Sequence, residues 1–158
     1  MRTKNAKVRP LKPDPIYNSR TVTRLINRLM QSGKKTVAQK QVYRTFDILK
    51  AKTQKDPLEV YDTAISNITP KMEVRSRRVG GAAYQVPMPV RTHRASSLAV
   101  RWLVMEAKKR PSTEYHTFAD KLAAEILDAI NNQGGAIQKK ITVHKMADAN
   151  KAFAHFRW

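Results

Sequence analysis

Apolar positions fall into several blocks with helical spacing and one block that alternates. Between Ser19 and Ser32 the apolar residues are Val22, Leu25, Ile26, Leu29 and Met30. Steps of three and four predict an amphipathic helix. Arg20, Arg24 and Arg28 recur every fourth residue on a second stripe away from it. Gly33 suits the position just past the helix. A second helix is predicted over 36–52, with Ala38, Val42, Phe46 and Leu49 inward. A third opens with Asp56 as its cap and Pro57 in its first turn, and buries Tyr61, Ala64, Ile65 and Ile68. It stops at Pro70, because the residue before a proline avoids the helical region. A fourth, over 95–110, carries Leu98, Ala99, Trp102, Leu103 and Met105. A fifth, over 117–131, buries Phe118, Leu122, Ile126 and Ile130, and Asn131, Asn132, Gly134 and Gly135 end it. A last helix is expected to start near Thr142, with Val143, Met146, Ala147, Asn150 and Phe153 inward.

The alternating block is 71–94. Period-two patterning on both sides of Gly80-Gly81 predicts a β-hairpin. Met72, Val74, Tyr84, Val86, Met88 and Val90 are expected on one face, against Glu73, Arg75, Arg77, Gln85 and Pro87 on the other. Pro87 and Pro89 sit two apart, so both missing N–H groups fall on one edge. The second strand can pair with the first through residues 86, 88 and 90, but it refuses a third strand. A lone two-stranded ribbon is only marginally stable, so it reads as an arm that works against something else. The fold class is mainly α: a single domain, 1–158, with about six helices. Its parts are a basic N-terminal arm (1–18), a helical body (19–70 and 95–158) and a two-stranded β-ribbon arm (71–94) between helices three and four.

Charge identifies what the arm works against. Lys and Arg number 31 against 12 Asp and Glu, a net charge of +19. Such an excess repels itself, and a polyanion relieves it. Anionic membrane is the other polyanion, but no apolar run approaches the roughly 18 residues of a membrane span, and the basic helix that comes closest to a surface anchor, 19–32, needs its apolar stripe for the core, so nucleic acid is the expected partner. Arg2, Lys4, Lys7, Arg9 and Lys12 precede the first acid, Asp14, and Pro10, Pro13 and Pro15 forbid a helix there. That segment reads as an extended arm, disordered when free. The ribbon block holds Lys71, Arg75, Arg77, Arg78, Arg91 and Arg94 against one acid, Glu73. Guanidinium groups grip phosphate in a fork and stack on bases. Tyr84 and Gln85 add a stacking face and an amide beside the turn, and Gly80-Gly81 lets backbone approach a ligand. Arg94, Arg101 and Lys108 recur every seven residues along one line of the fourth helix. Lys34 and Lys35 at the first helical turn, and Lys139 and Lys140 before the last helix, complete the basic set. The final residues, Phe153, His155, Phe156, Arg157 and Trp158, form an aromatic-basic cluster.

The same residues argue against catalysis and against any cofactor or metal. There is no Cys, hence no disulfide framework and no thiolate zinc site. His93, His116, His144 and His155 include no pair at the spacing of a helical metal site. The acids are scattered, and no HExxH, GxGxxG or GxSxG occurs. SGKK resembles the end of a phosphate-binding loop, but Arg28 stands where that loop needs glycine and Lys35 where it needs Ser or Thr. A DNA-bending protein can also join a basic helical body to a proline-bearing arm. Here, however, the prolines lie within a strand rather than at a tip that could wedge between bases.

Three long stretches then meet a family. RLINRLMQSGKKTVAQKQVYRTFD, VRSRRVGGAAYQVPMPV followed by LAVRWLVMEAKKR, and HKMADANKAFAHFRW resemble, in order, the seventh protein of the small ribosomal subunit in its bacterial form. The loop at 111–117 is longer than the usual pattern, and the segment at 139–142 is shorter. The resemblance implies a non-enzymatic constituent of the cytoplasmic ribosome, or of a plastid ribosome. It implies direct binding to the 3′ major domain of small-subunit ribosomal RNA, nucleation of the subunit head, and a place near exit-site tRNA. It also implies contact with the ninth and eleventh proteins of the subunit, repression of its own messenger RNA in some members, and no homo-oligomer. Carried over by position, Arg78, Val79, Gly80, Gly81 and Tyr84 lie nearest exit tRNA. Arg75, Arg77, Arg91, Arg94, Arg101, Lys108, Lys34, Lys35, Lys139, Lys140 and the N-terminal arm face ribosomal RNA, and the C-terminal cluster faces neighbouring proteins.

Overall fold

The computed structural model describes residues 10–157. In chain order they form α1 (Arg20–Leu29), α2 (Lys35–Thr53), α3 (Pro57–Ile68), β1 (Met72–Val79), β2 (Ala82–Pro89), α4 (Thr92–Lys109), α5 (Phe118–Ile130), α6 (Gly135–Ala149) and a C-terminal 3₁₀ helix (Lys151–Phe156). The expected mainly α architecture, with its ribbon between the third and fourth helices, is therefore observed. Helix α5 is central and packs on α2, α3, α4 and α6. The stripes predicted from spacing meet there: Leu25, Ile26, Phe46, Leu49, Tyr61, Ile68, Leu103, Leu122 and Ile126 are all fully buried. Two caps are local. Ser19 accepts from the Thr21 N–H, and Asp56 accepts from the Leu58 N–H. At α5, Thr117 and Asp120 form a reciprocal capping box.

Other boundaries differ from expectation, each for a tertiary reason. Helix α1 stops at Leu29, because Ser32 and Gly33 both adopt positive φ (49° and 72°) and turn the chain into α2. Helix α4 starts at Thr92 rather than near 95. The Val90 N–H still pairs with the Lys71 carbonyl (3.0 Å), and the Arg94 and Ala95 N–H groups then close on the Arg91 carbonyl.

Helix α6 starts at Gly135, seven residues before Thr142. Its cap comes from another helix: Oε1 of Glu125, on α5, accepts the Ala136 N–H at 2.8 Å. The approach is close. Gly134 has φ of 89°, and a Cβ there would lie 3.0 Å from Glu125 Oε1. Lys139 and Lys140 consequently lie on α6 and not in a connecting segment.

The N-terminal expectation also changes. Residues 10–18 are anchored, because Asp14 is buried and accepts from the Ile16 and Tyr17 N–H groups and the Tyr43 hydroxyl. Burial and that bond push the Tyr43 hydroxyl up to about 12. Arg2, Lys4, Lys7 and Arg9 lie outside the described residues, as does Trp158.

The ribbon register corrects the expected faces. Val79 pairs with Ala82, Arg75 with Val86 and Val74 with Pro87. A two-residue turn pairs odd positions of β1 with even positions of β2, and paired residues share a face. Glu73, Arg75 and Arg77 therefore share a face with Tyr84, Val86 and Met88. Met72, Val74, Ser76 and Arg78 share the other with Ala83, Gln85, Pro87 and Pro89. The grouping expected from alternation alone needs matching parity across the turn, which this register does not have. Gly80 and Gly81 both take positive φ (57° and 92°), as the tightest hairpin turn requires. Among the described residues the proline-bearing edge of β2 meets no third strand, and the C-terminal 3₁₀ helix packs against β2.

Candidate nucleic-acid interface

A subset of the exposed cations, with partly exposed Arg77, forms a belt built from several elements. At one end, Lys12 and Lys35 line a single cleft where the anchored N-terminal segment crosses α1 and α2. The α1–α2 turn presents Lys34 beside it, and Lys34 shares a groove with Lys108 of α4. Along α4, Lys108, Arg101 and Arg94 are all exposed, on a line about 21 Å long at 1.5 Å per residue. Arg24 of α1 holds that helix in place by donating to the Ser96 hydroxyl (2.8 Å).

At the far end the belt joins the ribbon. Arg94 Nε donates to Glu73 Oε2 at 2.6 Å, and Arg75 Nε donates to Glu73 Oε1 at 2.7 Å. Burial works to raise the Glu73 pKa, but the bonds from Arg94 and Arg75 outweigh it and hold the carboxyl below its ordinary value. Both arginine side chains stay about half exposed, and each guanidinium carries further N–H donors. Arg77 continues the same ribbon face, and exposed Arg91 lies just before α4.

Three expected site groups sit differently. Lys140 is partly buried and donates to the Asn67 carbonyl at 2.6 Å. Burial and nearby Lys71 lower its pKa. Lys139 is exposed, yet it lies on α6 outside the belt. Arg78 lies on the opposite ribbon face from Arg75 and Arg77, and its Nε donates across the turn to the Gly81 carbonyl (3.3 Å).

The aromatic groups at the chain's end are used within the molecule. Tyr84 packs on Phe153 and Phe156, with ring centroids 5.2 and 5.4 Å apart. Arg157 Nε donates to the Pro87 carbonyl (2.9 Å) on the strand edge that lacks N–H groups. His155 stays exposed, against Phe156. The tail therefore braces the arm, a contact between residues 70 positions apart that no local pattern announces. Sequence reasoning also missed Val37, Gln41 and Phe118, which line the groove between Lys34 and Lys108. Its one sequence signal was an apolar residue, Val37, next to two lysines.

Acids neutralise few of these cations. Among the described residues the ion pairs involve only Arg75, Arg94, Lys109 and Arg110. A helical body with a braced β-ribbon and a cationic belt in which, among the described residues, only Arg75 and Arg94 share an acid defines a basic binding protein of the polyanion-gripping class. The family comparison makes this specific. The family described as Ribosomal protein S7p/S5e matches residues 1–151, and the chain belongs to it. It is 55% identical to the small ribosomal subunit protein uS7 of Acetivibrio thermocellus over 98% of this chain and 97% of that one. It is 57% identical to the uS7 protein of Ruminiclostridium cellulolyticum, over 95% of this chain and 94% of that one. The uS7 protein of a Thermoanaerobacter species is 56% identical over the same shares. The chain is thus a structural constituent of the small subunit of the cytoplasmic ribosome and not an enzyme. No described helix is long and apolar enough to cross a membrane.

Proposed function

We propose that this chain binds the 3′ major domain of small-subunit ribosomal RNA directly and nucleates folding of the subunit head. The observation that carries this reading is the continuity of the belt: Lys12, Lys35, Lys34, Lys108, Arg101, Arg94, Arg75 and Arg77 follow one another across four elements. A folded RNA junction is recognised by shape and phosphate contacts from several directions, and a belt of this length suits that better than one groove-filling helix. Arg91 extends the belt at the ribbon base. The ribbon tip, Arg78 to Gly81, projects beyond the braced part of the arm and is assigned to exit-site tRNA. His155 and Trp158 are left for neighbouring proteins, the ninth and eleventh of the subunit, because Phe153, Phe156 and Arg157 already hold the arm. The same RNA-binding belt would serve repression of the chain's own messenger RNA. The test is a footprint of the full chain on small-subunit ribosomal RNA. Protection confined to the 3′ major domain is expected, and protection elsewhere would overturn the reading.

A further inference from the structure

The groove midway along the belt is more than a gap between two lysines. Leu29 from the end of α1, Val37 from the first turn of α2 and Phe118 from the first turn of α5 give it apolar walls. Its volume is about 340 Å³, within the range of small-ligand sites, about 300–1,000 Å³. Val37 is 53% exposed there, an unusual place for a large apolar side chain. Gln41 lines the same groove, and its Oε1 is buried without a hydrogen-bond partner among the described residues. A buried amide oxygen with no partner costs free energy and calls for one. Lys34 and Lys108 stand on the rim, with no acid paired to either among the described residues.

We propose that the groove is a socket for a single unstacked RNA base. Phe118 and Val37 cover its faces, the Gln41 amide turns to meet its edge, and Lys34 and Lys108 take the flanking phosphates. The inference deepens the ribosomal RNA reading above and rests on it. The chemistry is that of single-stranded recognition, in which splayed bases lie on aromatic side chains and offer their edges to amides. An acidic protein segment would also be drawn to the two lysines. It would have less use for an aromatic wall beside a lone amide, on a belt whose other members grip phosphate.

The test uses the full chain with a transcript of the 3′ major domain, chemical probing of base reactivity at nucleotide resolution, and filter-binding affinity. Phe118→Leu keeps an apolar wall but removes the ring, and Val37→Glu puts a carboxylate among the phosphates at an exposed site that tolerates it. Each should raise the Kd about tenfold, the scale of one lost base–aromatic stack. Each should also expose one base to modification while protections elsewhere along the belt persist. Gln41→Leu should keep the base seated and relax which base is accepted. Wild-type protections with affinity unchanged within twofold in both Phe118→Leu and Val37→Glu would overturn the socket and leave the groove to a protein segment. A wild-type chain that fails to bind the transcript would instead sink the ribosomal RNA reading and the socket with it.

Discussion

Glu125 joins three elements through one carboxylate. Its Oε1 caps α6, and its Oε2 accepts Arg110 Nε and Nη2 at 2.9 and 2.7 Å. Arg110 also reaches Asp128 and lies over the Tyr115 ring. Burial works against the guanidinium charge, but Asp128 and Glu125 outweigh it and raise the Arg110 pKa. Removing one partner of a buried pair leaves the other uncompensated, which typically costs about 3–5 kcal/mol. Arg110→Ala should therefore lower the urea midpoint by that much stability, whereas Lys109→Ala, at an exposed pair, should change it by less than about 1 kcal/mol. His144 makes a pH-dependent contribution. Its Nε2 accepts the Lys71 N–H at 3.1 Å, which requires a neutral ring. Burial, then nearby Lys140, hold its pKa below the ordinary value. A folded-state pKa below the unfolded one contributes stability that is full above about 6.5 and is lost as pH falls through the folded value. His144→Ala should thus cost about 1 kcal/mol at pH 8, the worth of one hydrogen bond, and almost nothing at pH 5. Thermal melts of both proteins at the two pH values check this; an equal cost at both would remove the imidazole from the account.

The ribbon shows where one element divides its work. Its base is fixed by Glu73 between Arg75 and Arg94 and by the tail on Tyr84 and Pro87. Its tip has only its own turn, closed by Arg78 on Gly81. Replacing Arg75, Arg77 and Arg91 together with Ala should weaken binding to the 3′ major domain RNA by tenfold or more, at a charge-assisted contact or two each. Deleting residues 78–83 should leave that binding within twofold and disturb exit-site tRNA instead. RNA binding lost on tip deletion would refute the division. Elements whose signals are local were legible in the sequence. The α1 stripe, the Asp56 cap, the glycine turn and the proline edge each follow from residues within one or two turns of one another. The start of α6 was not legible, because its cap is Glu125, ten positions before Gly135 on another helix. The ribbon faces were misread for a smaller reason: a two-residue turn inverts parity, so Val74 meets Pro87 and not Val86. The basic residues of the site were visible from composition alone. Their order along the belt was not, because α1, α4 and the ribbon meet only through folding.

At the scale of the molecule the charge is the organising fact. A net charge of +19 on 158 residues strains the folded state, and the core must hold against it. The few acids that are buried are spent on structure: Asp14 on the N-terminal turn, Glu73 on the ribbon base and Glu125 on α6. What remains outside is predominantly cationic, although Asp47, Asp56, Glu59, Asp62, Glu114 and Asp148 are also exposed, so the free energy of binding should be dominated by release of counterions from RNA. The belt offers Lys12, Lys34, Lys35, Lys108, Arg101, Arg94, Arg75 and Arg77, which can neutralise about eight phosphates. With about 0.7 ion released per phosphate on single strands and about 0.9 on duplex, log Kobs should fall against log salt with a slope of about −6 to −7. Affinity for the 3′ major domain transcript should drop about 4,000-fold or more between 50 and 200 mM salt, since a fourfold change is raised to the sixth power or beyond. Replacing Arg101 and Lys108, in the middle of the belt, should reduce the slope by about 1.5 to 2. Replacing Lys139, on α6 outside the belt, should leave it unchanged. Equal losses from all three positions would mean that the phosphates see a diffuse cloud of charge, and the belt would then have no meaning as a track.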